Sequence, residues 1–227
     1  MARSPSLCGV ILAAGESSRM GRDKALLPWP PVPAGGESYR PTEAISEFAR
    51  VAAPPHTQTF LFAAISLLTP FSELVIVVGG KNSDSIAPVV YSTSASLVVN
   101  QHPERGQFSS LQVGLHEVLN RGRDSAIVTL VDRPPCSPET LRALCSGFRE
   151  ASEEGKWAVV PEYEGKHGHP VVIGREMIEA FLKAPAGSTA RDVEHSVQSR
   201  ILYFPVTDPG VVTNVDTPED YQRLPQP

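Results

Sequence analysis

Short apolar runs alternate with helical patterns along most of this chain. Five runs have the length and composition of buried parallel strands, and they cover residues 8–13, 74–78, 97–100, 126–131 and 157–161. Helical patterns lie between them, at residues 58–68, 109–119 and 138–149. This alternation predicts an α/β fold with a doubly wound, mostly parallel sheet and helices on both faces.

The pattern continues beyond residue 161. Residues 169–173 and 201–206 are further strand candidates, and residues 175–183 form a helical pattern. A short closing helix is expected over 217–224, since Thr217 is a good N-cap and Pro218 suits the first helical position. Because 227 residues suit one large α/β domain, we expect residues 1–227 to form a single domain.

Charge and cysteine content argue against several classes of protein. The formal net charge of −5 disfavours sequence-independent nucleic-acid binding, which depends on neutralising phosphates. No apolar run reaches the roughly 18 residues that a membrane span needs. The three cysteines show no C-x-x-C spacing, which disfavours disulfides and a zinc ribbon and favours a reducing, cytoplasmic compartment. Residues 7–14 loosely imitate a signal peptide but match a first β-strand better.

Proline is concentrated in one segment of the chain. Seven of the 22 prolines lie between Pro28 and Pro55, together with Gly35 and Gly36. Proline removes a backbone donor and disfavours helix at the residue before it, so we expect a long loop here. Loops of more than about 15 residues in a compact domain are usually functional or disordered.

The strongest motif follows the first predicted strand. Gly15 and Gly21 bracket a loop in which positive φ and close backbone approach let several N–H groups converge on an anion. Arg19 adds a planar fork for phosphate oxygens, and Lys24 adds a point charge. The glycine spacing matches neither G-x-x-x-x-G-K-[ST] nor G-x-G-x-x-G, and an ordinary surface turn is the alternative. We therefore interpret this loop as a candidate triphosphate site.

Two aspartates are candidate metal ligands. Asp132 follows the apolar run 126–131, at the strand end where open α/β sheets place their ligands, and Asp216 lies at another strand-to-helix junction. Carboxylates suit Mg²⁺, which usually bridges to substrate phosphates. Asn214 is the other candidate for the second ligand. The structural alternatives are an Asp132 that caps a turn and an Asp216 that interacts with a helix dipole.

Ser109 and Ser110 stand at the expected start of a helix after Gly106. Hydroxyl and free N–H groups at such a place recognise a base edge or a ribose, and simple N-capping is the alternative. His167 and His169 lie two residues apart, but no third partner appears at a suitable spacing, so a zinc site is not expected.

These motifs resemble a known family. The pattern L-A-A-G-x-x-x-R-M-G-x-x-K over residues 12–24 is similar to the signature of nucleotidyltransferases with the Rossmann-like, glycosyltransferase-A-like fold. Within them, the chain resembles the molybdenum cofactor nucleotidyltransferases, the MocA-like and MobA-like enzymes. The resemblance runs over nearly the whole chain, in further blocks at residues 25–29, 106–115, 130–134 with 137–139, 168–172 and 214–221.

The resemblance implies a Mg²⁺-dependent nucleotidyltransferase and gives the candidate residues their roles. It makes Arg19, Lys24 and Asp132 catalytic and Asp132 and Asp216 metal ligands. The nucleotide-binding residues that it implies are Leu12, Ala13, Ala14, Gly15, Arg19, Lys24, Ser109 and Ser110. His169 and Arg191 are the implied acceptor contacts, with a partly buried structural histidine as the alternative for His169.

The identity of both substrates also follows from the resemblance. Ala14 in L-A-A-G is similar to the cytidylyl branch, whereas the guanylyl branch usually has L-A-G-G, so CTP is favoured over GTP. The implied acceptor is phosphorylated, with molybdopterin carrying molybdenum as the first choice and a recipient molybdoenzyme as a further partner. One alternative is a sugar- or polyol-phosphate acceptor, and another is a non-catalytic, chaperone-like homologue in molybdoenzyme maturation.

The chain departs from the family in three places. Relatives pass the region of the proline-rich segment in a few residues, so residues at about 29–56 form an insert. Many relatives have Gly-Asp-x-Gly-Ala-Arg where this chain has residues 186–192, which keep Arg191 but lack the early acid. Family members commonly carry Met or Gln at the position of Arg133.

Overall fold

The computed structural model of the chain describes residues 6–15, 17, 20–31, 59–185 and 187–224. Eight strands within these residues form one sheet. Their bounds are β1 Leu7–Leu12, β2 Leu74–Gly79, β3 Ser96–Val99, β4 Ser125–Leu130, β5 Ala158–Tyr163, β6 Lys166–His167, β7 Val171–Ile173 and β8 Ile201–Pro205. The predicted α/β class is confirmed.

Parallel pairing brings the ends of three central strands to one edge of the sheet. The strand order is β3-β2-β1-β4-β7-β5-β6, with β8 paired to β5. β1 is parallel to β2 and β4, and Leu12 is aligned with Val78 and Leu130. β7 runs antiparallel to both of its neighbours, so it separates the parallel strands around β1 from the parallel pair of β5 and β8. The loops that follow β1, β2 and β4 are therefore neighbours, which is where α/β sheets bind ligands.

Helices cover both faces of the sheet, as predicted. Their bounds are α1 Phe60–Leu68, α2 Ser83–Tyr91, α3 Gln107–Asn120, α4 Pro138–Glu153, α5 Arg175–Lys183, α6 Ala190–Ser196 and α7 Pro218–Gln222. Side chains alternate along a strand, so Ile11 packs in one apolar layer with α1, α2 and α4. Its neighbours Val10 and Leu12 pack in the opposite layer with α3, α5 and α6. The sequence analysis does not predict α2 or α6.

A smaller apolar cluster packs the C-terminal region against residues 20–29. These residues lie at the end of the candidate triphosphate loop, residues 15–21 (the phosphate loop), and directly after it. The cluster consists of Met20, Leu27, Phe60, Val215 and Leu224, with Trp29 and Tyr221 packed against it. The Tyr221 hydroxyl donates to the Pro28 carbonyl at 2.8 Å. This packing holds the segment that carries Asp216 against the start of the chain.

The proline-rich segment falls almost entirely outside the described residues. Its flanks are described, and Pro28 forms an antiparallel bridge with Thr59. The insert at about 29–56 and the single-domain assignment stay predictions. In the described part of the chain, no helix has both the length and the apolar character to cross a membrane.

Candidate active site

The loop after β1 begins at the carboxyl edge of the sheet. The Ala13 N–H donates to the Val78 carbonyl at 2.8 Å, which extends the pairing of β1 with β2 by one residue. Gly21 has the expected positive φ of 65°, whereas the other positive φ of the described loop, 49°, belongs to Ser17 rather than to Gly15. The Ser17 hydroxyl accepts the Lys24 N–H at 3.0 Å. Arg19 lies outside the described residues, and its role stays a prediction.

Asn82 connects the phosphate loop to the end of β2. Its Nδ2 donates to the Ala13 carbonyl at 2.9 Å and to Asp23 Oδ2 at 2.6 Å. Its Oδ1 accepts the Gly80 N–H at 3.1 Å. Asp23 caps the 3₁₀ turn Lys24–Leu26 through the Ala25 N–H, so Asn82 supports the position of that turn.

Lys24, Asp132 and Asp216 come together from distant parts of the chain. Lys24 Nζ lies 2.8 Å from Asp216 Oδ1 and 3.5 Å from Asp132 Oδ2. The Lys24 side chain is 11% exposed, whereas the two carboxylates are 25% and 30% exposed. One shielded ammonium thus partly neutralises two carboxylates, which remain more accessible than the ammonium.

Backbone contacts position the two carboxylates. Asp132 lies two residues after the end of β4. Its carbonyl accepts the Val215 N–H at 3.0 Å, which joins the segment of Asp132 to the segment of Asp216. The Asp216 N–H donates to Asp220 Oδ2 at 3.1 Å, beside the capping box that starts α7. Thr217 is the N-cap of α7 and Pro218 its first residue, as predicted. Asn214 Nδ2 donates to Asp216 Oδ2, so Asn214 lies at the site as a partner of this carboxylate.

The donor set fits a divalent cation such as Mg²⁺. Asp132 Oδ1 is buried and has no hydrogen-bond partner among the described residues, which leaves an acceptor for a ligand. No cluster of three or more His, Cys, Asp and Glu side chains with metal-binding geometry occurs in the described part of the chain. Two carboxylates are nonetheless enough for Mg²⁺, which usually keeps several waters and uses substrate phosphates as further ligands.

Four of the predicted nucleotide-binding residues, Leu12, Ala14, Gly15 and Ser110, line a cavity next to the phosphate loop. This cavity of about 230 Å³ is lined by Leu12, Ala14, Gly15, Pro103, Gly106, Gln107 and Ser110. Helix α3 begins at Gln107 with Gly106 as its N-cap, so the two serines lie in its first turn and do not cap it. Asn100, at the end of β3, donates to the Ser109 hydroxyl at 2.9 Å and to the Ser110 hydroxyl at 3.0 Å.

A second, larger cavity adjoins the first and brings the predicted acceptor residues together. It has a volume of about 560 Å³, and His169, Arg191 and Ser109 all line it. Leu12 lines both cavities, which makes them neighbours across the end of β1. Ser109, which we predicted to bind the nucleotide, therefore faces the predicted acceptor contacts.

Close backbone packing positions His169. The His169 N–H donates to the Val211 carbonyl at 2.9 Å. A Cβ on the preceding Gly168 would lie 2.1 Å from that carbonyl oxygen, so only glycine fits there. Burial of the imidazole, and secondly the positive charge of Arg133, lower the pKa of His169 from 6.5 to about 3. His169 is therefore neutral at physiological pH, and its buried Nδ1 has no partner among the described residues.

Three residues at the site were not singled out by the sequence analysis. Asn100 directly follows β3, and a polar residue at the end of an apolar strand is the signal that identified Asp132. Asn82 lies three residues after the end of β2 and does not have this signal. Arg133 was noted only as a departure from the family. Its side chain lines the larger cavity beside His169.

This combination of fold and site is typical of enzymes that bind nucleotides at the carboxyl edge of a doubly wound sheet. The family model described as the MobA-like NTP transferase domain matches residues 9–201. The chain therefore belongs to the MobA-like family of nucleotidyltransferases.

Relatives and solved structures match along nearly the full chain. Purine catabolism protein PucB of Bacillus subtilis is 28% identical over 98% of this chain and 97% of its own length. A probable molybdenum cofactor guanylyltransferase of Mycobacterium avium is 26% identical over 100% of this chain and 98% of its own length. The molybdenum cofactor cytidylyltransferase of Escherichia coli is 20% identical over 93% of this chain and 92% of its own length. The crystal structure of Rv0371c from Mycobacterium tuberculosis matches with a TM-score of 0.71 and 25% identity, over 96% of both chains.

Proposed function

We propose that this protein transfers a nucleotidyl group from a nucleoside triphosphate to a phosphorylated acceptor, with Mg²⁺ as cofactor and pyrophosphate as the second product. One observation carries the proposal: a shielded Lys24 ammonium lies within salt-bridge distance of Asp132 and Asp216. A cation for phosphates and two carboxylates for a metal at one point suit a metal-bound triphosphate.

The reaction is an in-line displacement at phosphorus. A phosphate oxygen of the acceptor attacks the α-phosphorus, and the bond from that phosphorus to the oxygen bridging to the β-phosphate breaks. Lys24 and Arg19 hold the triphosphate and the leaving pyrophosphate, because catalysis of this kind depends on positioning and charge stabilisation. Asp132 and Asp216 hold Mg²⁺, with Asn214 orienting Asp216; the ion, when bound, neutralises charge on the phosphates.

CTP and molybdopterin are the substrates that we propose. Ala14 supports CTP, because it lines the smaller cavity and because L-A-A-G is similar to the cytidylyl branch, whereas the guanylyl branch usually has L-A-G-G. The names of relatives in both the guanylyl and the cytidylyl group support molybdopterin as the acceptor and leave the nucleotide to experiment. Cys8, Cys136 and Cys145 are buried free thiols, which supports the proposed cytoplasmic location.

Calorimetric titration with CTP, GTP, ATP and UTP, each with and without Mg²⁺, tests the nucleotide half of the proposal. We expect CTP to bind about tenfold or more tightly than GTP, and to bind only when Mg²⁺ is present. In Asp132→Asn, we expect Mg²⁺ no longer to increase the affinity for CTP. Glu139→Gln, in the first turn of α4, is the control with the same change of charge. We also expect Ala14→Gly to reduce the preference for CTP. Equal affinity for all four nucleotides would contradict the proposed specificity.

Pyrophosphate release tests the acceptor half. We expect release from CTP with molybdopterin and none with a sugar phosphate or a polyol phosphate. Release with a sugar phosphate alone would favour the same chemistry on another acceptor. Tight nucleotide binding with no release for any acceptor would favour a non-catalytic homologue.

A further inference from the structure

Arg133 is a half-buried cation in the wall of the larger cavity, and the reaction described above does not use it. Its Nη1 donates a hydrogen bond to the Val211 carbonyl at 3.2 Å. Its Nε is buried and has no hydrogen-bond partner within the described ranges. A buried N–H normally has an acceptor, but this donor is still without one among the described residues.

The charges around the larger cavity favour an anion. Arg105, Arg133 and Arg191 line it, and Glu194 is the acidic residue among its described lining residues. Burial raises the pKa of Glu194, the positive charge of Arg191 opposes this rise, and His169 is neutral. Arg105 and Arg191 are exposed, so Arg133 is the least exposed of the three cations. Its charge is therefore the one least screened by water.

Arg133 and its neighbour Asp132 face different ligands. The Asp132 carboxylate lies 3.5 Å from Lys24 Nζ, on the side of the triphosphate and its metal. The Arg133 side chain instead lines the larger cavity with Arg191. An acceptor phosphate must lie between these two regions to reach the α-phosphorus, which places it next to the Arg133 guanidinium.

We propose that Arg133 binds the phosphate group of the acceptor and makes the protein selective for phosphate monoesters over uncharged alcohols. The inference rests on the proposed function and adds the residue that recognises the nucleophile. A guanidinium suits this role because its planar fork donates to two phosphate oxygens at once, which orients the third oxygen for attack. Lysine at the same position would supply charge without this fork.

Inorganic phosphate is the probe for this site. The protein is first saturated with Mg²⁺ and a CTP analogue that has a methylene group between the α- and β-phosphorus atoms, so that the triphosphate site is filled. Calorimetric titration with phosphate then measures the acceptor site. We expect Arg133→Gln to weaken phosphate binding about 10- to 100-fold, the range for a lost hydrogen bond to a charged group. Arg133→Lys should retain part of the affinity, and both changes should alter the affinity for the analogue much less than the affinity for phosphate.

Arg142→Gln is the matched control, since Arg142 lies on α4 over the Phe71 ring and does not line the cavity. We expect it to bind phosphate as the wild type does. Equal phosphate affinity in wild type and Arg133→Gln overturns the inference, while the proposed function stands. A parallel loss of phosphate and analogue binding in Arg133→Gln also overturns the inference, because it indicates a structural role for Arg133. Failure of the wild type to bind the analogue overturns the proposed function itself, and this inference with it.

Discussion

Asn82 satisfies both ends of its side-chain amide within the site. It donates to a carbonyl at the end of β1 and to the Asp23 carboxylate, and it accepts from the backbone after β2. Asp23 in turn caps the turn that begins at Lys24. The Asn82 side chain therefore fixes the start of the segment that carries Lys24.

We expect Asn82→Ala to lower the free energy of unfolding by about 1–3 kcal/mol, because it leaves partly buried polar groups without partners. The variant should raise KM for the nucleotide and change kcat less, since it loosens the position of Lys24 before chemistry. Urea unfolding and initial rates measure the two effects. Ser85 lies on α2 and lines one cavity together with Asn82 and Gly21. Ser85→Ala removes a hydroxyl that makes no side-chain hydrogen bond among those described, so it should change neither quantity. Equal effects of both substitutions would contradict the proposed role of Asn82.

His169 couples the stability of the protein to pH. Its pKa is about 3 in the folded protein and about 6.5 as a free group. Between these values the unfolded chain binds a proton that the folded chain does not bind. The free energy of unfolding therefore falls as the pH falls from about 6.5 towards 3.

Replacing His169 should reduce this dependence on pH. Between pH 7 and pH 5, we expect the wild type to lose about 1–2 kcal/mol more stability than His169→Asn, whose amide does not titrate. Urea unfolding of both proteins at the two pH values measures the difference. The exposed His195 provides the control: His195→Asn should keep the wild-type dependence. Parallel pH curves for wild type and His169→Asn would show that the buried imidazole does not contribute.

Helix α3 packs closely on the parallel strands through Gly114. A Cβ at this position would lie 2.8 Å from Val10 Cγ1 and 2.9 Å from Val78 Cγ2. Both valines are fully buried, so they have little room to move. The glycine thus sets the distance between α3, which carries the serines of the site, and the sheet.

Two opposing effects decide the outcome of Gly114→Ala. Alanine in a helix gains about 1 kcal/mol over glycine, but an extra methyl group in a packed core costs about 1–3 kcal/mol. Since the contacts on β1 and β2 are both shorter than 3.0 Å, we expect net destabilisation and weaker nucleotide binding. Gly147→Ala on α4 should be milder, because it meets the edge of the partly exposed Phe204 ring, which can turn. Urea unfolding of both variants measures this order, and the reverse order would contradict the argument.

The helices that the sequence analysis missed show where local patterns are insufficient. Pro88 lies inside α2, and proline there argues against a helix. Burial of Ile86, Val89 and Val90 against the sheet stabilises this helix, and such tertiary packing has no local signature. Helix α6 had a readable signal, since Thr189 and Asp192 form a capping box with the spacing of that motif.

The composition of the site was more predictable than its internal contacts. Asp132 was expected at this sheet edge because it follows the run that forms β4. The strand-to-helix junction predicted for Asp216 is wrong, since residues 209–212 form a 3₁₀ turn and not a strand; Asp216 reaches the site through the packing of the C-terminal segment. The position of Lys24 between them was not expected, because it depends on how the C-terminal segment packs. That packing uses the Tyr221–Pro28 hydrogen bond and an apolar cluster whose members are far apart in sequence. Lys24 lies 108 residues from Asp132 and 192 residues from Asp216 in the sequence. Contacts at such separations leave no periodic pattern in the sequence from which they could be predicted.

At the scale of the whole molecule, the Lys24 ammonium contacts the same two carboxylates that we propose as ligands of Mg²⁺. With its ammonium 2.8 Å from Asp216 and 3.5 Å from Asp132, the pair is already neutralised in part. A divalent cation alone must displace this ammonium, whereas a metal-bound triphosphate offers the ammonium new anionic partners. We therefore expect Mg²⁺ to bind the wild type weakly by itself and much more tightly together with CTP.

Lys24→Met separates these effects, because it removes the ammonium and keeps most of the apolar stem. Without Mg²⁺ the variant should unfold at a lower temperature than the wild type, since both partly buried carboxylates then lose their contact with the ammonium. Mg²⁺ alone should raise its unfolding temperature and bind about tenfold or more tightly than to the wild type, while CTP binds more weakly. Lys156→Met, which loses only an exposed contact with the Ser199 carbonyl, is the control and should behave as the wild type does. Thermal unfolding across a Mg²⁺ titration measures all three proteins, and an identical response of Lys24→Met and wild type would show that the lysine and the metal do not share the carboxylates.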